Sequence, residues 1–523
     1  MTKVVLKISL LYFFFLMTGI NQKLIAIDTD SIQSSLSSEK ILYLKTLWSE
    51  SNNAAGLWYF NVQKRLGKAE LNFHLEEGEY HRLQGAEKQN KYGFYTDGYA
   101  ALKNWKFYGD FNYFGQKDLG AQWVDVLDPF DDNPYILGDA SKTRYTKEYF
   151  DMNAKGAWNI NSRFNMGFEV NYKTGVGARR KDPRPENTST SFDIKPGIIY
   201  TFKHVNIGAN FHFQTAKEDI TFENITDSIY SYFHFKGLGA FTSSQEEDER
   251  SQESTLMGGG LQFAFNGDKF RNLTEVNFYQ KENDIKRGKT YPLQVVLFEK
   301  FQTDISSVFI INPSQLTANK LQLYFNDKHI YGHEPVVDPQ LIQQSYQWKT
   351  VGKYTLYWLQ ENNFGLNYSY YKLHDNNHIN WGASFNSSIT KSQSKYYFIP
   401  EKNNQELNYF TLNTTLEKEF ITQPADIVLS FSSGIRKGFN SSLELVADES
   451  LLETVNSELV QHDFDYFNER LIQFGGKIQF GKNINIYHTS TQLFLTAEYN
   501  RQTSQMHSNS NRDNFTIQLG INF

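Results

Sequence analysis

The sequence predicts an all-β chain that forms one transmembrane, antiparallel, up-and-down β-barrel. Three observations predict this fold class. Apolar and polar residues alternate over most of the chain, aromatic residues make up 16% of it, and its mean hydropathy is nevertheless −0.55. A membrane barrel needs only every second residue to be apolar, because its side chains face lipid and lumen in turn. High aromatic content at low hydropathy is therefore typical of such a barrel.

Charge and composition exclude several classes of protein. The chain carries 52 Lys and Arg against 58 Asp and Glu, a net charge of −6, and it has no basic stripe, so we expect no nucleic-acid partner. It contains no Cys, which excludes disulfides, zinc–thiolate sites, thiol nucleophiles and lipid attachment to a Cys. Only 11 Pro occur in 523 residues, as long strands require. We predict no cofactor.

Residues 1–26 have the pattern of a signal peptide. Lys3 and Lys7 flank the start of an apolar run from Ile8 to Ile20, which is too short to span a bilayer comfortably. We place the cleavage site near Ala26 and predict export to the periplasm. With a barrel downstream, the expected location is the outer membrane of a Gram-negative bacterium, whose lipid is the first expected partner.

Residues 27–56 form a polar segment that contains one predicted helix, Ser38 to Trp48. Ser38 is placed as its cap, and Glu39 lies at its positive end. The apolar side chains share one face of this helix. They are Ile41, Leu44, Leu47 and Trp48. We expect the helix in the periplasm or in the lumen, where this face is a candidate lumen plug.

Residues 57–523 are assigned to the barrel, and the last ten residues give its clearest strand. Apolar positions alternate there with polar residues or Gly up to the last residue. They are Phe515, Ile517, Leu519, Ile521 and Phe523. The arrangement resembles the C-terminal signal by which outer-membrane barrels are handed to the barrel-assembly machinery. We predict that this strand closes the barrel.

The predicted connections between strands have two lengths. Tight turns are predicted at 103–104, 159–162, 203–204, 266–268 and 421–426, and long polar loops at 117–146, 176–190, 217–253 and 439–465. Short periplasmic turns that alternate with long outer loops are typical of bacterial barrels. We predict 16 to 18 strands, with 14 as the lower alternative, because the sequence of residues 285–345 does not define where strands begin and end. A soluble propeller is the rival fold, but no blade-length repeat is present.

Three segments resemble an uncharacterised outer-membrane barrel family of the Bacteroidota, known as a domain of unknown function. They are Glu76–Arg82, Trp123–Ile136 and Thr174–Pro185. The resemblance covers essentially the whole mature chain and implies an outer-membrane barrel without an assigned activity. A shorter stretch, Asn53-Ala54-Ala55-Gly56-Leu57, is similar to the Asn-Pro-Ala-Gly-Leu segment of the long-chain fatty acid channel family, with Ala54 in place of Pro. That likeness implies an N-terminal segment inside the barrel.

Two loop clusters are candidate binding sites. The first consists of Asp128, Asp131 and Asp132. Carboxylates gathered in this way are ligands for Ca²⁺, and the alternative is an ordered Asx turn. The second consists of Arg179, Arg180 and Arg184. These side chains can pair with the Asp cluster or with lipopolysaccharide phosphates.

The sequence predicts no enzyme. The densest catalytic candidate, His374-Asp375-Asn376-Asn377-His378, lies in a predicted hairpin turn, so its histidines should point into solvent. The first functional prediction is a channel or transport component, either porin-like or, if the helix plugs the lumen, for apolar solutes. The alternative is a non-transporting barrel that serves as scaffold or surface-binding partner of a TonB-dependent receptor or lipoprotein. An integral outer-membrane enzyme is the least supported prediction.

Overall fold

The computed structural model describes most of the chain after the first 34 residues. The described ranges are 35–62, 65–226, 230–245, 249–288, 292–342, 345–374, 378–398, 400–422, 425–446, 456–486, 489–504 and 510–523. The predicted signal peptide, residues 1–26, therefore lies outside the described residues, as do residues 375–377 of the histidine hairpin.

The described residues are almost entirely β-structure. The strands are β1 (Arg65–Gly78), β2 (Lys88–Leu102), β3 (Trp105–Ala121), β4 (Leu137–Gly138), β5 (Thr143–Asn161), β6 (Phe164–Arg179), β7 (Pro185–Phe202), β8 (Val205–Phe222), β9 (Tyr232–Gly237), β10 (Ala240–Ser244), β11 (Arg250–Asn266), β12 (Phe270–Arg287), β13 (Leu293–Ile311), β14 (Thr317–Ile342), β15 (Ser345–Leu373), β16 (Ile379–Tyr397), β17 (Lys402–Ile421), β18 (Asp426–Gly438), β19 (Ser442–Glu444), β20 (Leu471–Ile486), β21 (Thr489–Ser504) and β22 (Asn511–Asn522).

Eighteen of these strands form the wall of one closed antiparallel barrel. In the described part of the chain the main sheet has 19 strands, and one of them, the three-residue β19, pairs only with β17. Each wall strand pairs with the next along the chain, and β22 returns to pair with β1, from Lys68↔Asn522 to Gly78↔Arg512. The prediction of 16 to 18 strands is confirmed at its upper value, and the alternative of 14 strands is wrong. The long strands β13 and β14 occupy most of residues 285–345, where the sequence does not define the strand boundaries.

The seam between β1 and β22 holds the last residue of the chain. Phe523 and Gly67 exchange two backbone hydrogen bonds, of 2.8 and 2.9 Å. The ring of Phe523 lies where a side chain on Gly67 would be, since a Cβ there would be 2.6 Å from that ring. The apolar residues of β22, and Phe523 directly after it, face outward. Their exposed fractions are 37% for Phe515, 38% for Ile517, 54% for Leu519 and 46% for Phe523, and Ile521 is half-buried.

The wall strands are apolar outside and polar inside. In β12, Phe278 is 59% exposed on the outer face, while its neighbours Asn277 and Glu275 are buried on the inner face. Leu261 in β11 and Ile207 in β8 are likewise exposed outward, at 68% and 56%. This is the two-residue alternation that the sequence predicts, because successive side chains of a strand point to opposite faces.

The two ends of the barrel differ. One end carries tight turns, among them the five that the sequence predicts, so we call it the short-turn end. The opposite end carries the long loops, but their predicted extents are inexact. Three are shorter than predicted: 117–146 is 122–142, 176–190 is 180–184, and 217–253 is 223–249 and contains β9 and β10. The loop predicted at 439–465 extends to 470. Strands continue into these regions, and β7 begins there with a run from Glu186 to Thr190 that is polar on both faces and shows no alternation.

Additional elements cover the long-loop end. Strands β10, β9 and β4 form a separate three-stranded sheet, and a short helix, α2 (Gln461–Asn468), lies nearby. The other α-helix, α1 (Ser38–Lys45), precedes the barrel. Two 3-10 helices, Leu47–Glu50 and Ala54–Tyr59, follow it. Within the described ranges, no helix has the length and apolarity needed to cross a membrane.

Candidate functional site

Residues 35–60, which we call the base segment, lie across the lumen at the short-turn end. α1 packs Ile41 and Leu44 against wall residues of β14, β15 and β16, namely Ala318, Tyr371, Leu373 and Ile379. The first 3-10 helix packs Leu47 and Trp48 against residues of β7, β11, β12 and β13. Apolar side chains of the segment therefore meet the wall in small buried clusters where the wall itself is apolar.

The predicted single helix from Ser38 to Trp48 is shorter than expected. It ends at Lys45, because Thr46 adopts an extended conformation with φ −94° and ψ 121°. Its N-cap is Ser37, whose side chain makes no capping bond to the helix and donates instead to Oε2 of Glu419 at 2.9 Å. The bend at Thr46 lets Leu47 and Trp48 reach a different side of the wall from Ile41 and Leu44. The four candidate plug residues are thus all buried, at 3–8% exposure, but in two separate clusters.

Charged groups hold the base segment to the wall. Nζ of Lys40 lies 2.7 Å from Oε2 of Glu417, and Nζ of Lys320 lies 3.1 Å from Oε1 of Glu50. Burial acts to lower the pKa of Lys40, but the charge of Glu417, its hydrogen bond to Lys40 and the contact with Tyr371 together outweigh burial and raise that pKa. Besides its apolar clusters, the segment is therefore held to the wall by ionic and hydrogen-bonded contacts, which water can replace.

Asn53 makes the densest set of these contacts. Its Nδ2 donates to the carbonyl oxygens of Ile198 and Ala209, at 3.0 and 3.1 Å, and to Oε1 of Gln262 at 2.8 Å. Its Oδ1 accepts from the backbone N–H of Ala55 at 3.0 Å and so caps the second 3-10 helix. One buried side chain therefore joins the base segment to β7, β8 and β11.

Glycines in the wall make room for this part of the base segment. A Cβ on Gly167 would overlap the backbone of Ala54 and Ala55, and a Cβ on Gly197 would overlap Oδ1 of Asn53. Gly167 and Gly197 are register partners on β6 and β7. Two adjacent wall positions thus lack side chains where the segment comes closest. The sequence shows these glycines only as polar-face residues, and the close approach becomes visible when the fold brings residues 53–55 to them.

At the other end, residues 122–142, which we call the lid, fold inward over the lumen. Its apolar core contains Trp123, Val124 and Leu137, packed against Phe233 and Phe235 of β9. Because these side chains pack against one another rather than against solvent, the lid is an ordered layer and not an open loop.

The lid contains the predicted Asp cluster, which the structure separates. Oδ1 of Asp128 accepts the N–H of Phe130 at 3.0 Å, and Oδ1 of Asp131 accepts the N–H of Asn133 at 3.2 Å. These are Asx turns, the alternative interpretation of the cluster. In the described ranges no group of three or more His, Asp or Glu is placed to hold a metal ion.

Asp132 bridges the lid to the opposite wall. Its carboxylate oxygens lie 2.8 Å from Nζ of Lys300 and 2.7 Å from Nζ of Lys328, on β13 and β14. Burial acts to raise the pKa of Asp132, but the charges of Lys328 and Lys300 and their hydrogen bonds together outweigh burial and hold that pKa below its ordinary value. The lid is thus fastened to the far wall by one carboxylate between two ammonium groups.

The predicted arginine cluster is also divided. Arg179 is buried and pairs with Asp125 and Asp139 at the two ends of the lid. The prediction that it is available to a surface phosphate is therefore wrong, because its guanidinium is already enclosed by carboxylates. Nε of Arg184 lies 2.7 Å from Oδ1 of Asp182, and Arg180 is exposed.

Between the base segment and the lid lies a chamber of about 220 Å³. Its lining is polar and comes from Asn52 of the base segment and from strands β7, β8, β11, β12 and β13. The lining residues are Asn52, Lys195, Asn210, His212, Leu256, Tyr279, Lys281, Lys300, Gln302 and Asp304. The sequence does not single these residues out, because each is one polar-face position among many.

A second cavity, of about 460 Å³, lies beside α1 at the barrel seam. It is bounded by Glu39 on α1 and by Lys68, Glu70 and Asp97 on β1 and β2. Burial and the nearby charge of Asp97 raise the pKa of Glu39. α1 therefore touches the wall on one side and leaves a polar gap on the other.

Comparison with known proteins places the chain in an uncharacterised group. A family described as a family of unknown function (DUF6850) matches residues 54–523, and no curated protein matches. Similar solved structures include the copper transporter OprC and the outer membrane transporter YddB from Escherichia coli, each with 8% identity and TM-score 0.39 over 88% of this chain and 81% of that one. A mutant of the monoaromatic hydrocarbon channel TodX has 10% identity and TM-score 0.30, over 90% and 92%. At these identities no activity carries over.

Proposed function

The chain belongs to DUF6850, a family of unknown function, and we propose that it is an outer-membrane barrel that passes a small polar solute through a lumen gated at both ends. The observation that carries the proposal is the chamber with polar lining residues inside the barrel, at a level between the base segment and the lid. A structural barrel has no need of a solvated chamber between two layers, whereas a gated pathway requires one.

The outer surface supports placement in a membrane. Large apolar side chains are exposed around the wall, including Leu261, Phe278 and Phe364 at 68%, 59% and 53%, and contiguous apolar surface of this kind needs a lipid or protein partner. At the short-turn end, Trp105 stacks on Trp158 with ring centroids 5.4 Å apart. Aromatic side chains at this level are typical of the girdle where a barrel meets lipid headgroups.

The nature of the lumen supports a polar solute. An eighteen-stranded barrel is wide enough for an aqueous channel unless its interior is filled. Here the chamber wall carries three Lys, one His and one Asp, with Leu256 as its single aliphatic residue. An apolar solute would have to displace water from those charges without replacing its hydrogen bonds. The polar lining therefore favours polar cargo over the apolar alternative.

The contacts of the base segment support a gate rather than a permanent seal. Its ion pairs and hydrogen bonds to the wall exchange readily with water, so each contributes only about 1 kcal/mol. The apolar clusters hold it in two places, and a polar gap lies beside α1. Displacement of this segment is thus the least costly way to connect the chamber with the short-turn end.

Solute entry into proteoliposomes tests the proposal. The full chain is compared with a chain that lacks residues 27–60 and carries Asp132→Asn. The deletion removes the base segment, and the substitution weakens the contact between the lid and the wall. We expect only the second to admit small sugars and amino acids. A control that lacks the same residues but carries Asp128→Asn keeps the lid contact, because Asn can form the same Asx turn, and should admit less.

If the doubly weakened barrel admits no solute, the lumen is not a pathway. That result would favour the alternative, a non-transporting barrel that acts with a TonB-dependent receptor or a lipoprotein. Co-purification with such a partner from the native membrane would then be the decisive observation.

A further inference from the structure

The chamber gathers positive charge from separate strands. Lys195 comes from β7, Lys281 from β12 and Lys300 from β13, and His212 of β8 lies in the same lining. Asp304 is its single acid. Because these residues are far apart in sequence, the concentration of ammonium groups arises from the register of the barrel and not from a local basic run.

The charges of these lysines are incompletely neutralised. Among the described residues, Lys281 forms no ion pair within 4.0 Å. Nζ of Lys195 lies 3.5 Å from Oε1 of Glu169, whose other oxygen lies 2.8 Å from Lys155. Nζ of Lys300 shares Asp132 with Lys328. Two of these three lysines therefore share a carboxylate with another lysine, and the third, Lys281, has only the longer-range attraction of Asp131 in the lid.

Asp304, the acid in the lining, already accepts hydrogen bonds from neighbouring side chains. Nε2 of Gln302 donates to both oxygens of Asp304, at 2.9 and 3.0 Å, and Nδ2 of Asn326 donates to its Oδ1 at 2.8 Å. Nε2 of His212 is paired with Asp193 at 2.7 Å. The groups that remain able to bind a ligand in the chamber are thus mainly donors.

One buried donor in the lining has no partner. Asn210 is 9% exposed, and its Nδ2 makes no hydrogen bond. The orientation of this amide is fixed, because Nε2 of Gln262 donates to Oδ1 of Asn210 at 2.6 Å and Oε1 of Gln262 itself accepts from Asn53. A buried N–H group without an acceptor is costly. Because this nitrogen has almost no accessible surface, a ligand oxygen would reach it, and remove that cost, only with a small shift of the lining side chains.

We propose that the chamber is a binding site for a small solute with an oxyanion group, a carboxylate or a phosphate, held by Lys281, Lys195 and Asn210. The assignment deepens the proposed function, since it names the chemical class of the solute. An oxyanion accepts several charge-assisted hydrogen bonds at once, which the lysines and the free amide N–H offer. The chamber volume of about 220 Å³ suits an anion of a few heavy atoms.

Equilibrium dialysis of the purified full chain against radiolabelled succinate and against inorganic phosphate tests this site. We expect saturable binding of at least one of them, and none of butane-1,4-diol, which has the length of succinate without its charge. Lys281→Gln and Asn210→Asp should each weaken binding at least tenfold. The Asn210 variant retains the acceptor for Gln262 but replaces the free donor by a negatively charged oxygen, which an oxyanion in contact with it cannot tolerate.

Lys217→Gln is the matched control, because Lys217 lies on the same strand as Asn210 but is 49% exposed and paired with Asp219. Its binding should equal that of the unchanged chain. The proposal is overturned if neither anion binds to the full chain or to the Asp132→Asn variant, in which the lid is loosened. It is equally overturned if Lys281→Gln binds as tightly as Lys217→Gln. Since dialysis requires no passage through the lumen, failure here is distinct from failure of transport.

Discussion

Nδ2 of Asn53 donates a hydrogen bond of 2.8 Å to Oε1 of Gln262, which joins the base segment to the inner face of β11. The same amide nitrogen reaches two carbonyl oxygens of β7 and β8. Since wall and segment meet here without an intervening side chain at Gly197, this contact is the point at which docking of the base segment is most sensitive to a single change.

Replacement of Asn53 by Ala should loosen the base segment without unfolding the barrel. It removes four hydrogen bonds of a buried side chain and leaves acceptors of the wall unpaired, at a cost of about 2 kcal/mol. Hydrogen exchange at the amides of residues 55–57 should then be about 30-fold faster. Asn52→Ala, which changes a neighbouring exposed side chain, is the control, and equal exchange in the two variants would show that Asn53 is not an anchor.

Gly197→Ala should displace the base segment by steric overlap with Asn53. Because Ala is no worse than Gly in a strand, the stability of the wall itself should not fall. Trypsin cleavage after Lys40 or Lys45 should be accelerated, as both residues lie on α1. Gly476→Ala is the matched control, since a Cβ there meets no atom within 4 Å. Unchanged cleavage in Gly197→Ala would place the segment elsewhere.

A disulfide between Leu36→Cys and Gly481→Cys should fasten the base segment to β20. An ideal Cβ on Gly481 would lie 2.8 Å from Cγ of Leu36, so the two cysteine Cβ atoms would be at most about 4.3 Å apart, within the range that disulfides span. The chain has no other Cys, so a mobility shift on non-reducing gels reports this bond alone. The pair Leu36→Cys and Gly476→Cys should not cross-link, and the same shift in both pairs would contradict the docked position.

The lid contact should weaken in acid. The pKa of Asp132 in the folded chain is lowered from 3.8, so its contribution is fully present above pH 3.8 and is lost as pH falls through the lower folded value. Conductance of a chain without residues 27–60 should therefore rise below pH 3.8. The same chain with Asp132→Asn should conduct at this higher level at neutral pH also, and a pH response unchanged by that substitution would assign the effect to other groups.

The wall of the barrel is predictable from sequence, whereas the positions of the base segment and the lid are not. Alternation in β8 and β22 and turn residues such as Lys203 are local signals, so they predict strands and turns directly. By contrast, the docking of Asn53 on Gly197 and of Asp132 on Lys300 joins residues more than a hundred positions apart. Arg179 shows the limit most clearly. Its neighbours in sequence do not indicate whether it is exposed or buried, because its burial comes from Asp125 and Asp139 of the lid.

The central claim is that the base segment closes a lumen that otherwise conducts. It is tested most directly by planar-bilayer conductance of the chain with Asp132→Asn, with and without residues 27–60. We predict that the chain with these residues is silent, or opens only briefly, and that the chain without them conducts steadily. Equal conductance of the two, whether both silent or both open, would contradict the claim.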